Sequence, residues 1–363
     1  MKMGFMKDPY RRKTRPVFLG KVQIGGGAPV SVQSMTSTDT RDVVKTLAQI
    51  RRLEKAGCEI IRVAVPDEEA AAAIPKIREK IHIPLIADIH FQHRLAVMAI
   101  EAGVEGIRIN PGNIKKEAIP EIVQAARAHG TVIRIGVNAG SLEKDLLEKY
   151  GGPDADALVE SALRHIHGLE DLDYHQIKVS LKSSDVTVMI RAYQLLSEKV
   201  DYPLHLGVTE AGSLMRATVK SSIGIGTLLY QGIGDTIRVS VTGDPVNEIP
   251  VAYGILRALK MRMIGPDIIS CPTCGRCEID LLKLTRALEK RLAGRKDYLK
   301  VALMGCVVNG PGEASEADVG IAGGRGAGIL FRKGQIIRKV KEADFVEVLL
   351  AEIQDITEEK KEA

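Results

Sequence analysis

The sequence predicts an α/β protein, a TIM (β/α)8 barrel followed by a small α+β domain. Two observations carry this. Eight strand-like apolar runs recur with amphipathic helical stretches between them, mostly at intervals of roughly 20 to 35 residues, the spacing of parallel strands joined by crossover helices. Beyond Gly265-Pro266 the pattern changes to a cysteine-bearing segment with its own strands and helices. The expected division is 1–264 for the barrel, with a short lead-in, and 265–363 for the second domain.

The runs are VSVQSM from Val30, EIIRVAVP from Glu59, IPLIADIH from Ile83, EGIRINPGN from Glu105, TVIRIGVN from Thr131, QIKVSLKSS from Gln176, PLHLGVTEAG from Pro203 and DTIRVSVTGDP from Asp235. Patterns such as DVVKTLAQIRRLEKAG supply the intervening helices. Eight such units over roughly 235 residues match a TIM barrel, with a doubly wound open sheet as the rival. After the helical VNEIPVAYGILRALKMR comes a strand into Cys271, the helix IDLLKLTRALEKRLAG and the strand YLKVALMG. Strands around ADVGIAGG, GILFRKG and IIRKV follow, then the helix DFVEVLLAEIQDITEEK.

Composition narrows the function. With 363 residues and 45% apolar content, both domains can form cores without staples. A net charge of +5 is a mild excess, suited to a small anion. No nucleic-acid signature accompanies it. Five cysteines, four of them between Cys271 and Cys306, are not a secreted disulfide framework. Arg11-Arg12-Lys13 and Arg15 hint at a twin-arginine signal, but VFLGKVQIGGG is too short and glycine-rich for its apolar core. No apolar run is long enough to span a bilayer, and the expected location is the cytoplasm.

The strand interiors are the second informative pattern. Parallel strands buried on both faces should be continuously apolar. Five of these alternate instead: Ile107-Arg108-Ile109-Asn110, Ile133-Arg134-Ile135-Gly136, Ile177-Lys178-Val179-Ser180, Leu204-His205-Leu206-Gly207 and Ile237-Arg238-Val239-Ser240, with Arg62 in the same scheme. Side chains two apart share a face, so the apolar set packs on the helices and the cations point into the barrel. Such a ring of like charge is costly unless an anion neutralises it, and bidentate arginines suit phosphate oxygens. The expected ligand is therefore strongly anionic, such as a diphosphate. The competing reading is a set of structural ion pairs with Asp88 and Glu210 as acidic partners. Asp88, His90, Asn138 and Glu210 stand at strand ends, where barrel chemistry collects, and are candidates for proton transfer.

Cys271-Pro-Thr-Cys274 and the Gly/Pro-flanked Cys306 bring soft thiolates together as an iron–sulfur cluster needs. Zinc fits less well, having no second Cys or His pair, and a thioredoxin-like site would follow an early strand. Cys277 would complete an all-cysteine site, and Glu313, after the Asn-Gly-Pro-Gly turn, is the rival fourth ligand. Three thiolates would leave one iron for a weaker ligand and then a substrate, pointing to redox chemistry on a bound molecule. Cys58 reads as a core residue, Gly323 to Gly328 as a hairpin, and His82, His129, His165, His167 and His175 as surface or packing residues.

At this point IGGGAPVSVQSMT, ADIHF, IRINPGN, RIGVNAGSLE, KVSLKSS, LGVTEAG, IGIGTLLYQGIGDTIRVSVTGDP, CPTCGR and MGCVVNGPGE together resemble the 4-hydroxy-3-methylbut-2-enyl diphosphate synthase family. The resemblance runs from about residue 11 to about residue 340 and is to the short, two-domain bacterial form. It implies reductive opening of 2-C-methyl-D-erythritol 2,4-cyclodiphosphate in the methylerythritol phosphate route. Flavodoxin or ferredoxin would supply electrons through a [4Fe–4S] cluster, and the assembly would be a homodimer. By motif position it implies Cys271, Cys274, Cys306 and Glu313 as cluster ligands and Arg62, Arg108, Arg134, Lys178 and Arg238 as the diphosphate clamp. Asp88, His90, Asn110, Asn138, Lys182, His205 and Ser240 would line the pocket, Glu210 would deliver a proton, and Asn309 would bond the reacting oxygen. A non-redox barrel transferase of the dihydropteroate-synthase kind, with a structural metal module, is the alternative.

Overall fold

The computed structural model describes residues 11–110, 113–306 and 316–362; Asn309 and Glu313 lie outside them. The chain divides into two compact units between Arg262 and Met263. Among the described residues no helix is long and apolar enough to cross a membrane.

The first unit opens with a hairpin, β1 (Val17–Leu19) and β2 (Val22–Ile24), that the sequence reading missed. Three-residue strands are too short to display a period of two. Gly20, at φ +55°, makes the turn. Eight parallel strands follow: β3 (Ser31–Met35), β4 (Ile60–Ala64), β5 (Leu85–Ile89), β6 (Gly106–Ile109), β7 (Val132–Asn138), β8 (Ile177–Lys182), β9 (His205–Leu206) and β10 (Thr236–Ile237). They pair in chain order, and β10 returns to β3. A single bridge between Val179 and Leu204 joins β8 to the β9 side, so the barrel is nearly closed.

Helices α1 (Val43–Ala56), α2 (Glu68–Arg78), α3 (His93–Glu101), α4 (Ile119–His129), α5 (Lys144–Tyr150), α6 (Ala155–Glu170), α7 (Val186–Ser197), α8 (Leu214–Tyr230) and α9 (Glu248–Ala258) make the crossovers. Asp42, Asp67, Asp154 and Asp185 cap α1, α2, α6 and α7 by accepting from backbone N–H groups of the first turn. Each such cap stabilises its helix by about 1 kcal/mol. Apolar stripes such as Leu47, Ile50 and Leu53 of α1 are buried toward the strands.

The hairpin closes the N-terminal end of the barrel. Val17, Leu19 and Ile24 cluster with Ile60, Ile86 and Val132, which lie at or near the starts of barrel strands. Gly106 lets Leu19 enter, since a Cβ there would stand 2.8 Å from Leu19 Cδ2. The basic lead-in is structural: Arg11 bonds Ala28 O and Asp235, Arg12 bonds the carbonyls of Ser197, Val200 and Tyr202, and Arg15 pairs with Asp201. With one end plugged, the interior opens at the strands' C-terminal ends.

The second unit is a five-stranded mixed sheet. Its order is β11 (Asp267–Ser270), β12 (Lys300–Met304), β13 (Val319–Gly324), β14 (Ala327–Arg332), β15 (Gln335–Lys341), parallel across the first three and antiparallel thereafter. Helices α10 (Leu281–Leu292) and α11 (Phe345–Glu362) share one core with it, built from Leu288, Leu292, Val301, Ile321, Leu330, Phe345, Leu349 and Ile353. The glycine-rich segment from Gly323 forms the β13–β14 hairpin, with Gly326 at φ +68°.

Candidate active site

The alternation in the strands becomes a charged barrel interior. Asp88 of β5, Arg108 of β6, Arg134 of β7 and Lys178 of β8 are register partners on successive strands. All four are buried, as are Arg62, Asn110, Lys182 and His205. Asn138 and Lys182 pair four residues further toward the open end, beyond Gly136 and Ser180.

Two carboxylates hold part of this charge. Asp88 accepts from Arg108 Nη1 at 3.3 Å and faces Arg62 Nε at 3.5 Å. Burial alone would raise its pKa, but Arg62, Arg108 and Arg134 outweigh burial and hold the carboxyl well below the usual range. The second is Glu248, which opens α9 and which the sequence reading did not single out. It is buried, accepts from Ser34 Oγ at 2.7 Å, from Arg238 Nη2 at 3.2 Å and Nε at 3.4 Å, and from Val241 N at 3.3 Å. Glu210, expected as the other acidic partner, makes no ion pair among the described residues: its side chain is exposed in the loop after β9 and its backbone is left-handed at φ +53°. The structural ion-pair network therefore runs through Glu248 instead.

Six basic side chains (Arg62, Arg108, Arg134, Lys178, Lys182 and Arg238) thus meet two acidic ones, a surplus of four. The deficit is concentrated at β7 and β8. All three guanidinium nitrogens of Arg134 and the Nζ of Lys178 are buried with no protein partner among the described residues. Buried donors without acceptors are rare and costly, so this pair calls for an anion. Burial, then neighbouring cations, lowers Arg134, Lys178 and Lys182 well below their ordinary values, and burial lowers Arg62 to about 10. His205 is pushed down by burial and by Arg134. It bonds Thr236 Oγ1 through Nδ1 at 2.5 Å and leaves Nε2 without a partner.

The rim is polar. His90, exposed, reaches Arg108 Nη1 through Nε2 at 3.3 Å. Asn110 Nδ2 donates to Ser141 Oγ at 2.9 Å, and Ser141 leans on the Asn138 carbonyl at 3.5 Å. Arg238 and Ser240 are half-buried. The loop after β7 that carries Ser141 is held by Glu143, which accepts from Ser161 Oγ at 2.8 Å and pairs with His165 Nε2 at 2.7 Å, giving His165 a partner that its sequence context did not suggest. Two more residues were missed. Met35 Sδ lies between Arg62 (3.0 Å) and Arg238 (3.8 Å). A Cβ at Gly136 would stand 2.5 Å from Arg108 Nε, so glycine lets that guanidinium cross β7 and reach the Gly136 carbonyl at 3.3 Å.

In the second unit, Ser270 and Leu303 are register partners, so Cys271 leaves β11 beside the end of β12, where Gly305-Cys306 begins. Gly305 N–H points at Cys271 Sγ at 3.2 Å. A Cβ at Gly305 would stand 2.5 Å from Cys277 Sγ, so the missing side chain at 305 lets Cys277 pack against this loop. Cys274 is exposed, and Cys277 Sγ turns to Ile279 O at 3.3 Å. Among the described residues no three Cys, His, Asp or Glu side chains converge to hold a metal ion. The donor set still suits an iron–sulfur cluster: soft thiolates on adjacent strand ends, with a backbone N–H on one sulfur.

The GcpE TIM-barrel domain model matches residues 14–253, and the GcpE protein C-terminal domain model matches residues 267–355. The chain is 63% identical over 332 residues to the 4-hydroxy-3-methylbut-2-en-1-yl diphosphate synthase (flavodoxin) of Nitratidesulfovibrio vulgaris, covering 91% of this chain and 86% of that one. It is 58% identical over 351 residues to the protein of the same name from Geobacter sulfurreducens, covering 96% and 99%. Among solved structures, the Yersinia pestis dihydropteroate synthase is similar with a TM-score of 0.48 at 15% identity, over 68% of this chain and 99% of that one.

Proposed function

The chain belongs to the GcpE family, and on that premise we propose that it is an iron–sulfur oxidoreductase of isoprenoid biosynthesis. It reductively opens 2-C-methyl-D-erythritol 2,4-cyclodiphosphate, expels a hydroxyl as water and yields 4-hydroxy-3-methylbut-2-enyl diphosphate. The observation that carries the substrate class is the buried, unpartnered pair Arg134 and Lys178 on adjacent strands. Phosphate oxygens would satisfy both and neutralise the surplus charge.

In this reading residues 1–264 bind substrate and 265–363 carry the cluster. Arg62, Arg108, Arg134, Lys178 and Arg238 clamp the diphosphate, and Asp88 and Glu248 hold Arg62, Arg108 and Arg238 in place before it arrives. Asn110, Asn138, Lys182, His205 and Ser240 orient the carbon skeleton. His205, held neutral, offers Nε2 to a hydroxyl or phosphate oxygen. His90 and Glu210, both exposed at strand ends, handle protons; the strained backbone of Glu210 is the kind of cost a fold retains where a side chain must be aimed. Cys271, Cys274 and Cys306 with Glu313 would hold a [4Fe–4S] cluster, and Asn309 would bond the reacting oxygen. When bound, the cluster would relay the two electrons of the reduction, one at a time, from the external donor. Cys277, already bonded to Ile279 O, is left out. Flavodoxin is the electron donor, with ferredoxin as substitute, the protein works as a homodimer, and a reducing cytoplasm suits the thiols.

Anaerobic iron and sulfide analysis with EPR on wild type, Cys277→Ala and Glu313→Ala tests the ligand set. Cys277→Ala should keep a full cluster and Glu313→Ala should lose or alter it. The reverse outcome would establish an all-cysteine site.

A further inference from the structure

The second unit carries a charged surface that the reaction as described leaves unused. From Arg325 to Lys341 the chain holds six basic residues (Arg325, Arg332, Lys333, Arg338, Lys339 and Lys341) and no acidic one. Arg325 and Arg332 are paired, with Glu278 and Glu359, whereas Arg338, Lys339 and Lys341 make no ion pair among the described residues. The last three lie on β15, the edge strand, together with Ile336 and Ile337, which are 65% and 50% exposed.

Register fixes which way these side chains face. Leu330, in the helix-side core, opposes Arg338, whereas Ile329 opposes Lys339 and Ala327 opposes Lys341. Opposed residues share a face, so Lys339 and Lys341 lie on the side of the sheet away from α10 and α11. The β-bulge after Leu330 puts Ile336 opposite Phe331, on that same side. Phe331 and Met304 pack there, with Cys271 against them. At the hairpin tip, Arg325 N–H donates to Glu278 Oε2 at 3.2 Å, next in chain to Cys277. The strip is thus three strand spacings from β12, roughly 14 Å, and its tip touches the cysteine loop.

Lysines on an edge strand ordinarily block unwanted strand pairing. A purely protective edge gains nothing from two exposed isoleucines beside them. Apolar side chains rimmed by one sign of charge are the anatomy of a transient docking site. We propose that the face of β15 away from the helices, with the β13–β14 tip, forms the docking surface for the electron donor, a small acidic carrier protein whose negative face meets Lys339 and Lys341 around Ile336. The proposal rests on the reductase reading above, which requires an external carrier.

The test uses the cluster-loaded full-length protein with a bacterial flavodoxin. Binding is measured by titration calorimetry at about 50 and about 300 mM salt, since exposed charge pairs weaken as the screening length shortens. Turnover of the cyclic diphosphate is measured with reduced flavodoxin and, separately, with reduced methyl viologen, which needs no docking. For Lys339→Glu/Lys341→Glu the expected result is at least about a tenfold loss in flavodoxin affinity and in kcat/KM for flavodoxin. The salt dependence should flatten while the viologen-driven rate stays within about twofold. Ile336→Ser should weaken binding without changing its salt dependence. Unchanged flavodoxin affinity in the double variant would overturn the proposal, as would an equal loss of the viologen rate. So would a switch of the variant from dimer to monomer by light scattering, which would assign the strip to a second copy of the chain. If wild type turns over with neither donor, the reductase reading itself fails, and the docking proposal falls with it.

Discussion

Lys178→Met separates a ligand clamp from a structural network, because the two predict opposite signs for stability. Lys178 is fully buried beside Arg134 and bonds no protein group among the described residues. Two unit charges about 5 Å apart at an effective dielectric near 20 repel by about 3 kcal/mol. Burial keeps the lysine pKa low, so part of that repulsion is avoided by deprotonation, and about 2 kcal/mol is a reasonable net gain on removing it. Methionine fills much the same volume. The ligand-free variant should therefore be more stable than wild type, melting roughly 4–8 °C higher. Its affinity for inorganic diphosphate and for the cyclic diphosphate should fall, because a charge-assisted hydrogen bond contributes about 1.5–3 kcal/mol, or about 10- to 150-fold. Differential scanning fluorimetry and titration calorimetry read the two effects separately. A variant that melts lower without ligand, or binds diphosphate as wild type does, would refute the clamp.

Other predictions follow from the same geometry. Glu248→Gln removes the anchor of Arg238 and should raise KM about tenfold with a smaller change in kcat, checked by steady-state kinetics. Gly136→Ala pushes a Cβ into Arg108 and should weaken diphosphate binding while far-ultraviolet circular dichroism stays unchanged. Lys178, Lys182 and Arg134 are depressed in the free protein, so the folded state binds fewer protons than the unfolded one; stability should rise with pH toward about 10.5 and fall as pH drops. Anion binding raises those values again. Titrations in buffers of different ionisation enthalpy should thus show net proton uptake, and zero uptake would contradict the assignment. Gly305→Ala should lose cluster iron, measured by metal analysis, because a Cβ 2.5 Å from Cys277 Sγ displaces the backbone that bonds Cys271 Sγ and leads into Cys306.

The barrel and its charged lining were legible because both follow from periodicity. Crossover spacing gave the eight strands, and alternating Arg or Lys with Ile marked the inward face before any contact was known. What periodicity cannot report is contact between distant parts of the chain. Glu248 begins an outer helix, and only the fold shows its carboxylate reaching Ser34 and Arg238. Glu210 looked like its equivalent because it stands at a strand end in the sequence, yet the fold puts it in the loop beyond β9, with a left-handed backbone and an exposed side chain. Gly136 stands in the sequence only as one position of an alternating strand, and its role rests on an arginine from the neighbouring strand. The β1–β2 hairpin escaped because three-residue strands carry no period.

The central claim is that this chain delivers electrons to a cyclic diphosphate held by the barrel cations. Its most direct test is phosphorus NMR of 2-C-methyl-D-erythritol 2,4-cyclodiphosphate incubated anaerobically with cluster-loaded protein and a reduced donor, beside Arg134→Gln. The cyclic diphosphate resonances should give way to those of an open-chain diphosphate, at a rate lowered at least about a hundredfold by Arg134→Gln. Unchanged cyclic diphosphate with the cluster intact, or equal conversion by Arg134→Gln, would contradict it.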